Sequence, residues 1–405
     1  FEIDEIEIYG TGYLNDAQYI TDVLDLGGPA TIGRVRWVEE TVGQPEFSGL
    51  SVKARTGIDD TPVLYQRTGV GEFGESFLLE VSGGDYHELD QVSKGPIVHD
   101  EENWGQWKSV EQGIQLTSPR PRRYIQFRLD FSGGIFDSRQ VDFLKFDYLQ
   151  PPIADTLRAE VYPRLAKAEE RATFHYAVLL RGSDVVKGYD RLEVDTNIRV
   201  EKIRNVRVNG ELVDFTVEEN ETNYFTLGLP LIRGDKDLLE FTFDLPIFRF
   251  GSTFSGRAFN SQWPSVPQIL ESGNAASFGP DDDDDLASLA VAIPEAQVGK
   301  LVGRILFSTS VLTPNGDGIN DEVDVFFNLL QLTRPTPIIF EIYDLAGRLV
   351  HKVSEDEHRI GPVAYRWDGR LRSGSFLLPG TYIWALRVQA DAFEEVHQGM
   401  IAIAY

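Results

Sequence analysis

The sequence has 405 residues, of which 38 are Lys or Arg and 64 are Asp or Glu, giving a formal net charge of −26. Such an acidic surface repels nucleic acid and anionic lipid, so we expect no nucleic acid partner. No apolar run reaches the roughly 18 residues of a membrane-spanning helix, so we expect no membrane insertion. Cysteine is absent, which excludes disulfides, thiolate metal sites and a cysteine nucleophile.

Apolar and charged residues alternate with a period of two through most of the chain, a pattern typical of antiparallel sheets with one face in water. The alternation is clearest at residues 1–9, 33–38, 124–129 and 143–148. Asn209 and Gly210 lie between two apolar runs and predict a tight hairpin. Helical periodicity is confined to residues 15–19 and 165–170. We therefore predict an all-β protein.

Two breaks divide the chain into three predicted β-sandwich domains in series. The first break follows Gln150, at a pair of prolines, and gives a domain over residues 1–150. The second follows a short bridge and separates residues 151–303 from residues 304–405. The middle domain carries an acidic run, Asp281 to Asp285. This run is either a solvated loop, a loose cation site or a contact for a basic surface.

The densest group of candidate metal ligands lies in the run TPNGDGINDE. Side-chain oxygens recur at Asn315, Asp317 and Asp321, and two glycines let the backbone curl so that the Ile319 carbonyl can face inward. Calcium prefers about six to eight oxygen ligands, and Glu322 is a further candidate. We predict calcium at these five residues. The alternative is an Asn/Gly/Asp turn held by its own side-chain hydrogen bonds.

Three further motifs, YDLAGR, WDG and PGTY, follow that loop and read as strands joined by tight turns. Together with PNGDGIND they resemble the C-terminal domains of type IX secretion and gliding-motility proteins from Bacteroidetes-like bacteria. They equally resemble the immunoglobulin-like domain of the flagellar hook-capping protein. The resemblance covers residues 314–405. It implies an extracellular immunoglobulin-like sandwich and does not imply catalysis.

The N-terminal region resembles a discoidin-like or galactose-binding-like jelly roll. The residues that carry this resemblance include Trp37 and the runs RTG, NWGQW and RRYIQFR. Such jelly rolls are common in extracellular adhesive and glycan-binding modules, which makes Trp104 and Trp107 candidate surfaces for stacking on a sugar ring. The alternative is that both tryptophans pack inside the jelly roll, as large aromatic side chains usually do.

Motifs of known catalytic chemistry are absent from the sequence. It has no HExxH, no GxSxG nucleophile elbow, no phosphate-binding loop and no GxGxxG between a strand and a helix. The six histidines form no pair spaced for metal binding on a helix. We therefore expect a protein that is not an enzyme.

These features favour an extracellular or cell-surface structural protein of a bacterium with an outer membrane. We expect a filament or surface-layer subunit, or an adhesin stalk, whose partners are other copies of itself, surface proteins or a glycan. The edge strands at residues 1–9 and 398–405 are the expected contacts. The alternatives are a glycan-binding accessory region of a secreted hydrolase and a type IX secretion cargo. A start at Phe1, without Met or a signal peptide, predicts the C-terminal part of a longer chain.

Overall fold

The structure is a computed structural model that describes residues 12–71, 73, 75–116, 120–183, 185–249, 251–280, 282–293, 299–371, 373–390 and 393–404. Its regular structure is almost entirely β-strand, with one short α-helix and two 3-10 helices among these residues. The predicted all-β fold is confirmed. The predicted strand at residues 1–9 lies outside the described residues. None of the helices that are described is long and apolar enough to cross a membrane.

The strands before residue 150 form two sheets. Their bounds are β1 Asp16–Ile20, β2 Leu24–Val42, β3 Gly49–Gly57, β4 Val63–Val70, β5 Ser76–Val81, β6 Lys94–His99, β7 Lys108–Val110, β8 Arg122–Ser132 and β9 Ser138–Leu149. The larger sheet has the order β7-β3-β8-β2-β9, with β1 paired to β8, and the smaller has the order β5-β4-β6. Helix α1, Gly83–Glu88, follows β5, and a 3-10 turn, Pro45–Phe47, follows β2. The buried cluster of this region includes Val35, Val52, Ile125 and Phe127.

The middle region contains thirteen strands among the described residues. They are β10 Thr156–Tyr162, β11 Arg171–Arg181, β12 Tyr189–Asp195, β13 Lys202–Val208, β14 Glu211–Leu212, β15 Thr216–Asn220, β16 Tyr224–Ile232, β17 Leu238–Pro246, β18 Gly251–Thr253, β19 Gly256–Phe259, β20 Gln268–Ile269, β21 Glu271–Ser272 and β22 Ala290–Ala292. A sheet of order β14-β13-β17-β11-β10-β21 and one of order β15-β16-β12-β19-β20 supply the buried cluster, and β18 pairs with β22. The cluster is rich in aromatic rings: Phe174, Tyr176, Phe225, Phe241, Phe243 and Phe254.

The C-terminal region is built from eight strands. They are β23 Leu306–Phe307, β24 Val311–Leu312, β25 Val323–Leu329, β26 Thr336–Tyr343, β27 Leu349–His358, β28 Gly361–Trp367, β29 Gly380–Gln389 and β30 Glu394–Ile403. One sheet has the order β23-β25-β28 and the other β24-β30-β29-β26-β27. Residues from both sheets share a buried cluster that includes Val323, Phe327, Phe340 and Leu386. The alternating strands therefore bury one face each in a sandwich core.

The hairpin predicted at Asn209 and Gly210 is confirmed. Val208 pairs with Glu211 across β13 and β14. Asn209 has φ 52° and Gly210 has φ 83°. Two consecutive residues in the left-handed region are what a type I′ turn requires, and Asn followed by Gly tolerates them best.

Both predicted helical segments are wrong. Residues 16–20 form β1, which pairs with β8 along its whole length. Within residues 165–170, Leu165 and Ala168 make isolated bridges to Ala292 and Ile247. In each case the short helical spacing of apolar residues is outweighed by pairing with a distant strand, since a single turn of helix is unstable without tertiary support.

Candidate functional site

The run TPNGDGIND forms a closed loop at one end of the C-terminal sandwich, between β24 and β25. The loop begins on a strand that pairs in parallel with β30, with Val311 opposite Ala402 and Leu312 opposite Ile403. It is closed at its neck by a hydrogen bond of 2.8 Å from the Thr313 amide to the Asn320 carbonyl. The loop is therefore fixed to the core of the sandwich at both ends.

Side-chain oxygens inside this loop accept hydrogen bonds from its own backbone. The Asp321 carboxylate accepts from the amides of Gly316, at 2.7 Å, and Gly318, at 2.6 Å. Both glycines have positive φ, 82° and 84°, which few other residues adopt without strain. The Asp317 amide donates to Asn315 Oδ1 at 2.9 Å, and the Ile319 amide donates to Asp317 Oδ1 at 2.8 Å. The amides of Gly316 and Gly318 lower the pKa of Asp321 below its usual range.

The structure shows the surroundings of all five predicted calcium ligands. The carboxylates of Asp317 and Asp321 face backbone amides, and the Ile319 carbonyl accepts a hydrogen bond of 2.8 Å from the Thr313 hydroxyl. Glu322 lies 3.5 Å from the Arg366 guanidinium. Nowhere in the described ranges do three His, Asp or Glu side chains form a group that could hold a metal ion. Calcium binding at this loop stays a prediction.

The YDLAGR motif forms the turn between β26 and β27. The Asp344 carboxylate accepts hydrogen bonds from the amides of Ala346, at 3.0 Å, and Arg348, at 2.9 Å, and from Arg348 Nε at 2.7 Å. Gly347 has φ 81°, which closes the turn. The amide and guanidinium of Arg348 hold the pKa of Asp344 below its usual range. Asp344, Gly347 and Arg348 thus shape this turn.

The WDG and PGTY motifs also act as turn and packing residues. Trp367 is buried and its Nε1 donates to the Arg370 carbonyl at 3.0 Å. The Arg370 amide donates to Asp368 Oδ1 at 3.0 Å, next to Gly369 with φ 77°. Tyr382 Oη donates to the Leu378 carbonyl at 2.8 Å. These contacts shape the sandwich and assemble no nucleophile with a general base.

A polar network on β26 and β29 was not expected from the sequence. Phe340 and Ile342 lie in the core, so Glu341 and Tyr343 lie on the opposite face of β26. Tyr343 Oη donates to Glu341 Oε2 at 2.6 Å, and Arg387 Nε donates to the same oxygen at 3.3 Å. The alternation of β26 could have placed Glu341 on this face. Its partner Arg387 is 46 residues away, and sequence spacing does not identify it.

The two candidate glycan-binding tryptophans have different environments. Trp104 is 2% exposed, and its Nε1 donates to Asp59 Oδ1 at 2.9 Å. A Cβ at Gly57 would lie 2.2 Å from the Trp104 ring, so the strand passes directly over this indole. Trp107 is partly exposed, and the Arg55 guanidinium lies 4.4 Å from its ring centroid. The faces of Trp104 are thus closed to a sugar ring. Glycan binding through Trp107 stays a prediction.

Residues 306–403 match the family model described as the CHU_C type IX secretion signal domain. No curated protein matches the chain. The similar solved structures include dimeric latent PorU from Porphyromonas gingivalis, at 12% identity and a TM-score of 0.24, with 96% of this chain and 34% of that chain covered. This chain thus spans about a third of the PorU chain.

Two other similar structures come from surface proteins of other bacteria. The adhesin InvE from Yersinia pseudotuberculosis is 9% identical, with a TM-score of 0.24 and coverage of 62% of this chain and 59% of that one. BcpA, the major pilin subunit of Bacillus cereus, is 10% identical, with a TM-score of 0.22 and coverage of 91% and 96%. At these TM-scores the likenesses carry no argument about function.

The family match confirms the type IX part of the resemblance, and the predicted likenesses to the hook-capping domain and to a galactose-binding jelly roll stay predictions. A type IX secretion signal directs a protein to the cell surface or the extracellular space of Bacteroidetes, which confirms the predicted localisation. The loop, the turns and the two sheets described above are the parts of that signal. Residues 306–403 of this chain form a type IX secretion signal domain.

Proposed function

We propose that this chain is a non-catalytic structural protein that type IX secretion delivers to the cell surface, where copies assemble into a filament or surface layer. The observation that carries the proposal is the secretion signal domain at residues 306–403, which is continuous with two further regions of β-sheet. The three regions have separate buried clusters and little helix.

The free edge of β9 supports contact between copies. Within the described residues β9 pairs only with β2 and lies at the edge of its sheet. Phe143 and Tyr148 on this strand are 47% and 50% exposed. An edge of this length with exposed apolar side chains is a template for pairing with another strand.

An apolar groove of about 620 Å³ lies beside this edge. It is lined by Tyr19, Leu24, Phe127, Phe131, Val141 and Phe143, among others. An extended segment of a second copy would pair with the β9 backbone and place alternate apolar side chains in the groove, which is the geometry of strand addition. We therefore propose β9 as the contact through which copies assemble.

The role of the signal is tested by expressing the chain with and without residues 306–403 in a Bacteroidetes host with an active type IX system. We expect the intact chain at the surface, accessible to added protease, and the shortened chain inside the outer membrane. The same intact chain in a host without type IX secretion is the control. Equal surface exposure of the intact and shortened chains would contradict this role.

Assembly is tested by sedimentation and electron microscopy of the secreted protein over a range of concentrations. Phe143→Lys should abolish assembly, because a charged side chain at the edge of β9 opposes strand addition. Val217→Lys on β15, where the native side chain is 45% exposed, is the matched control and should assemble normally. Monodisperse monomers of the unmodified protein at high concentration would argue against assembly, as would filaments that form equally well from the Phe143→Lys protein.

A further inference from the structure

A buried carboxylate on β10 is only half satisfied. Glu160 is 0% exposed, and its Oε2 accepts a hydrogen bond of 3.1 Å from the Ala275 amide. Its Oε1 is buried and has no hydrogen-bond partner among the residues that the structure describes. Across the described part of the chain, no Lys, Arg or His forms an ion pair with it. A buried carboxylate that lacks a partner is strongly destabilising unless another group neutralises it.

A second carboxylate, from the acidic run, is also half satisfied, although Asp282 as a whole is only partly buried. Asp282 Oδ2 accepts a hydrogen bond of 3.0 Å from the Phe278 amide, while its buried Oδ1 has no hydrogen-bond partner in the part of the chain that the structure describes. Glu160 thus binds the backbone of residues 275–280 at Ala275, and Asp282 binds it at Phe278, each through one oxygen. Within the described residues, the other oxygen of each carboxylate has no hydrogen-bond partner.

The nearby cation, Arg164, offsets the negative charge of this pair only in part. Arg164 Nη1 donates to the Asp283 carbonyl at 2.9 Å, so its hydrogen bond goes to the backbone. Burial raises the pKa of Glu160, and the Asp282 carboxylate raises it further, while the amides of Ala275 and Ala276 and the charge of Arg164 act in the opposite direction. The site therefore has an excess of negative charge that the side chains around it do not balance.

We propose that Glu160 Oε1 and Asp282 Oδ1 bind a calcium ion that clamps the segment of residues 275–280 to β10. Both free oxygens are hard ligands, and the amide bonds to their partner oxygens hold them in place. Calcium accepts backbone carbonyls and water as further ligands, in flexible geometry. Asp283, Asp284 and Asp285, which are exposed beside the site, would attract the cation toward it.

We expect this site to have a low affinity for calcium. No third Asp, Glu or His joins the two carboxylates within the described ranges, so only two charged ligands hold the ion. Sites in extracellular modules have dissociation constants of about 10⁻⁴ to 10⁻³ M. A surface protein meets calcium in this range, so the clamp would close after export. Its effect would be local, at the loop where Phe278 stacks on Tyr162 with ring centroids 5.6 Å apart.

The test is amide hydrogen exchange of the full chain in chelator and in 10 mM calcium. By mass action, about 10 mM calcium should raise the protection of the Ala275 and Phe278 amides about 10- to 100-fold. Glu160→Gln and Asp282→Asn should each remove this response. Asp284→Asn makes the same charge change at an exposed neighbour and should keep it. Asp317→Ala should also keep it, which separates this site from the loop at residues 313–321.

Protection of the Glu160→Gln protein in chelator serves as the control for folding. Because a neutral amide removes the buried charge, its loop in chelator should be protected at least as well as that of the unmodified protein. Loss of the calcium response with protection retained in chelator supports the clamp. An unmodified protein whose loop does not respond to calcium would overturn the proposal, and so would a calcium response that survives both Glu160→Gln and Asp282→Asn. Protection that rises only on acidification would assign the pair a shared proton instead and would also overturn it.

Discussion

Asn328 Nδ2 donates a hydrogen bond of 2.9 Å to Glu169 Oε2, which ties β25 of the signal domain to the segment between β10 and β11. The same oxygen accepts from the Arg304 amide at 3.2 Å. Nearby, Arg249 Nη2 donates to the Leu332 carbonyl at 2.6 Å. The signal domain is therefore held to the preceding region by directional polar contacts, which a single substitution can weaken without disturbing either core.

Replacement of Glu169 by Ala should loosen this junction. Two hydrogen bonds to a charged acceptor are lost, and such bonds contribute about 1.5–3 kcal/mol each before screening by solvent. Because Glu169 is half-buried, we expect a loss of about 1–3 kcal/mol in the free energy of opening at residues 328–332, measured by hydrogen exchange. Glu170→Ala, which removes an exposed carboxylate one residue away, is the control and should change little. Equal protection in both variants would show that the junction does not depend on Glu169.

Asp244 on β17 should be a strong local determinant of stability in the middle region. Its carboxylate is bound by Arg204 through two contacts, of 2.5 and 2.9 Å, and by Thr173 Oγ1 at 2.7 Å. Asp244→Ala leaves these donors unpaired. Since the Arg204 side chain is 40% exposed, water compensates in part, and we expect a loss of about 1–2 kcal/mol in denaturant unfolding.

Asp235 provides the matched control for that measurement. Its carboxylate lies 3.9 Å from Arg181 and is 51% exposed, so Asp235→Ala should lower the free energy of unfolding by at most about 0.5 kcal/mol. A loss at Asp244 no larger than the loss at Asp235 would mean that the two-point contact with Arg204 adds nothing to stability.

The loop at residues 313–321 should depend on pH through Asp321. Backbone amides lower the folded pKa of this carboxylate below the unfolded value, about 3.9. The stability contributed by ionised Asp321 is therefore complete above the unfolded pKa and is lost as the pH falls through the folded pKa. We expect the amide resonances of Gly316 and Gly318 to shift together below pH 4 in an NMR titration. In Asp321→Asn that shared transition should disappear, and its persistence would assign the transition to another group.

Calcium binding at the same loop predicts a separate response. If the loop rearranges to bind calcium, millimolar calcium should raise the melting temperature relative to chelator, because a ligand of the native state stabilises it by mass action. Asp317→Ala should abolish the part of the shift that arises here. Asp344→Ala removes a carboxylate from the turn between β26 and β27 and should leave the calcium-dependent shift unchanged. A shift of the same size with and without Asp317 would exclude calcium at this loop.

Much of the fold follows from local sequence patterns. Alternation predicted the strand regions at residues 33–38, 124–129 and 143–148, which lie in β2, β8 and β9. The Asn209-Gly210 pair predicted its hairpin because two residues with positive φ are a local requirement. The motifs PNGDGIND, YDLAGR and WDG carried the resemblance to type IX secretion domains, which the family match confirms, and each forms a turn within a few consecutive residues.

Features that depend on distant pairing were not predictable in this way. Residues 16–20 form a strand because β8 offers a distant partner, as the hydrogen bond between Gln18 and Asp130, 112 positions apart, illustrates. Glu160 could not be identified from the sequence as a candidate ligand, because the Ala275 amide that binds it lies 115 positions away. The domain boundaries proposed after residues 150 and 303 stay predictions.

The order in which the signal domain is assembled sets a condition on export. Strand β30 pairs with β29 along ten residues and with β24, which begins the TPNGDGIND loop. The sheet that contains β24, β29 and β30 thus remains incomplete until residue 403 has left the ribosome. A transporter that recognises only the folded sandwich would not export nascent or prematurely terminated chains. Recognition of the signal domain would therefore restrict export to chains that have been translated as far as residue 403.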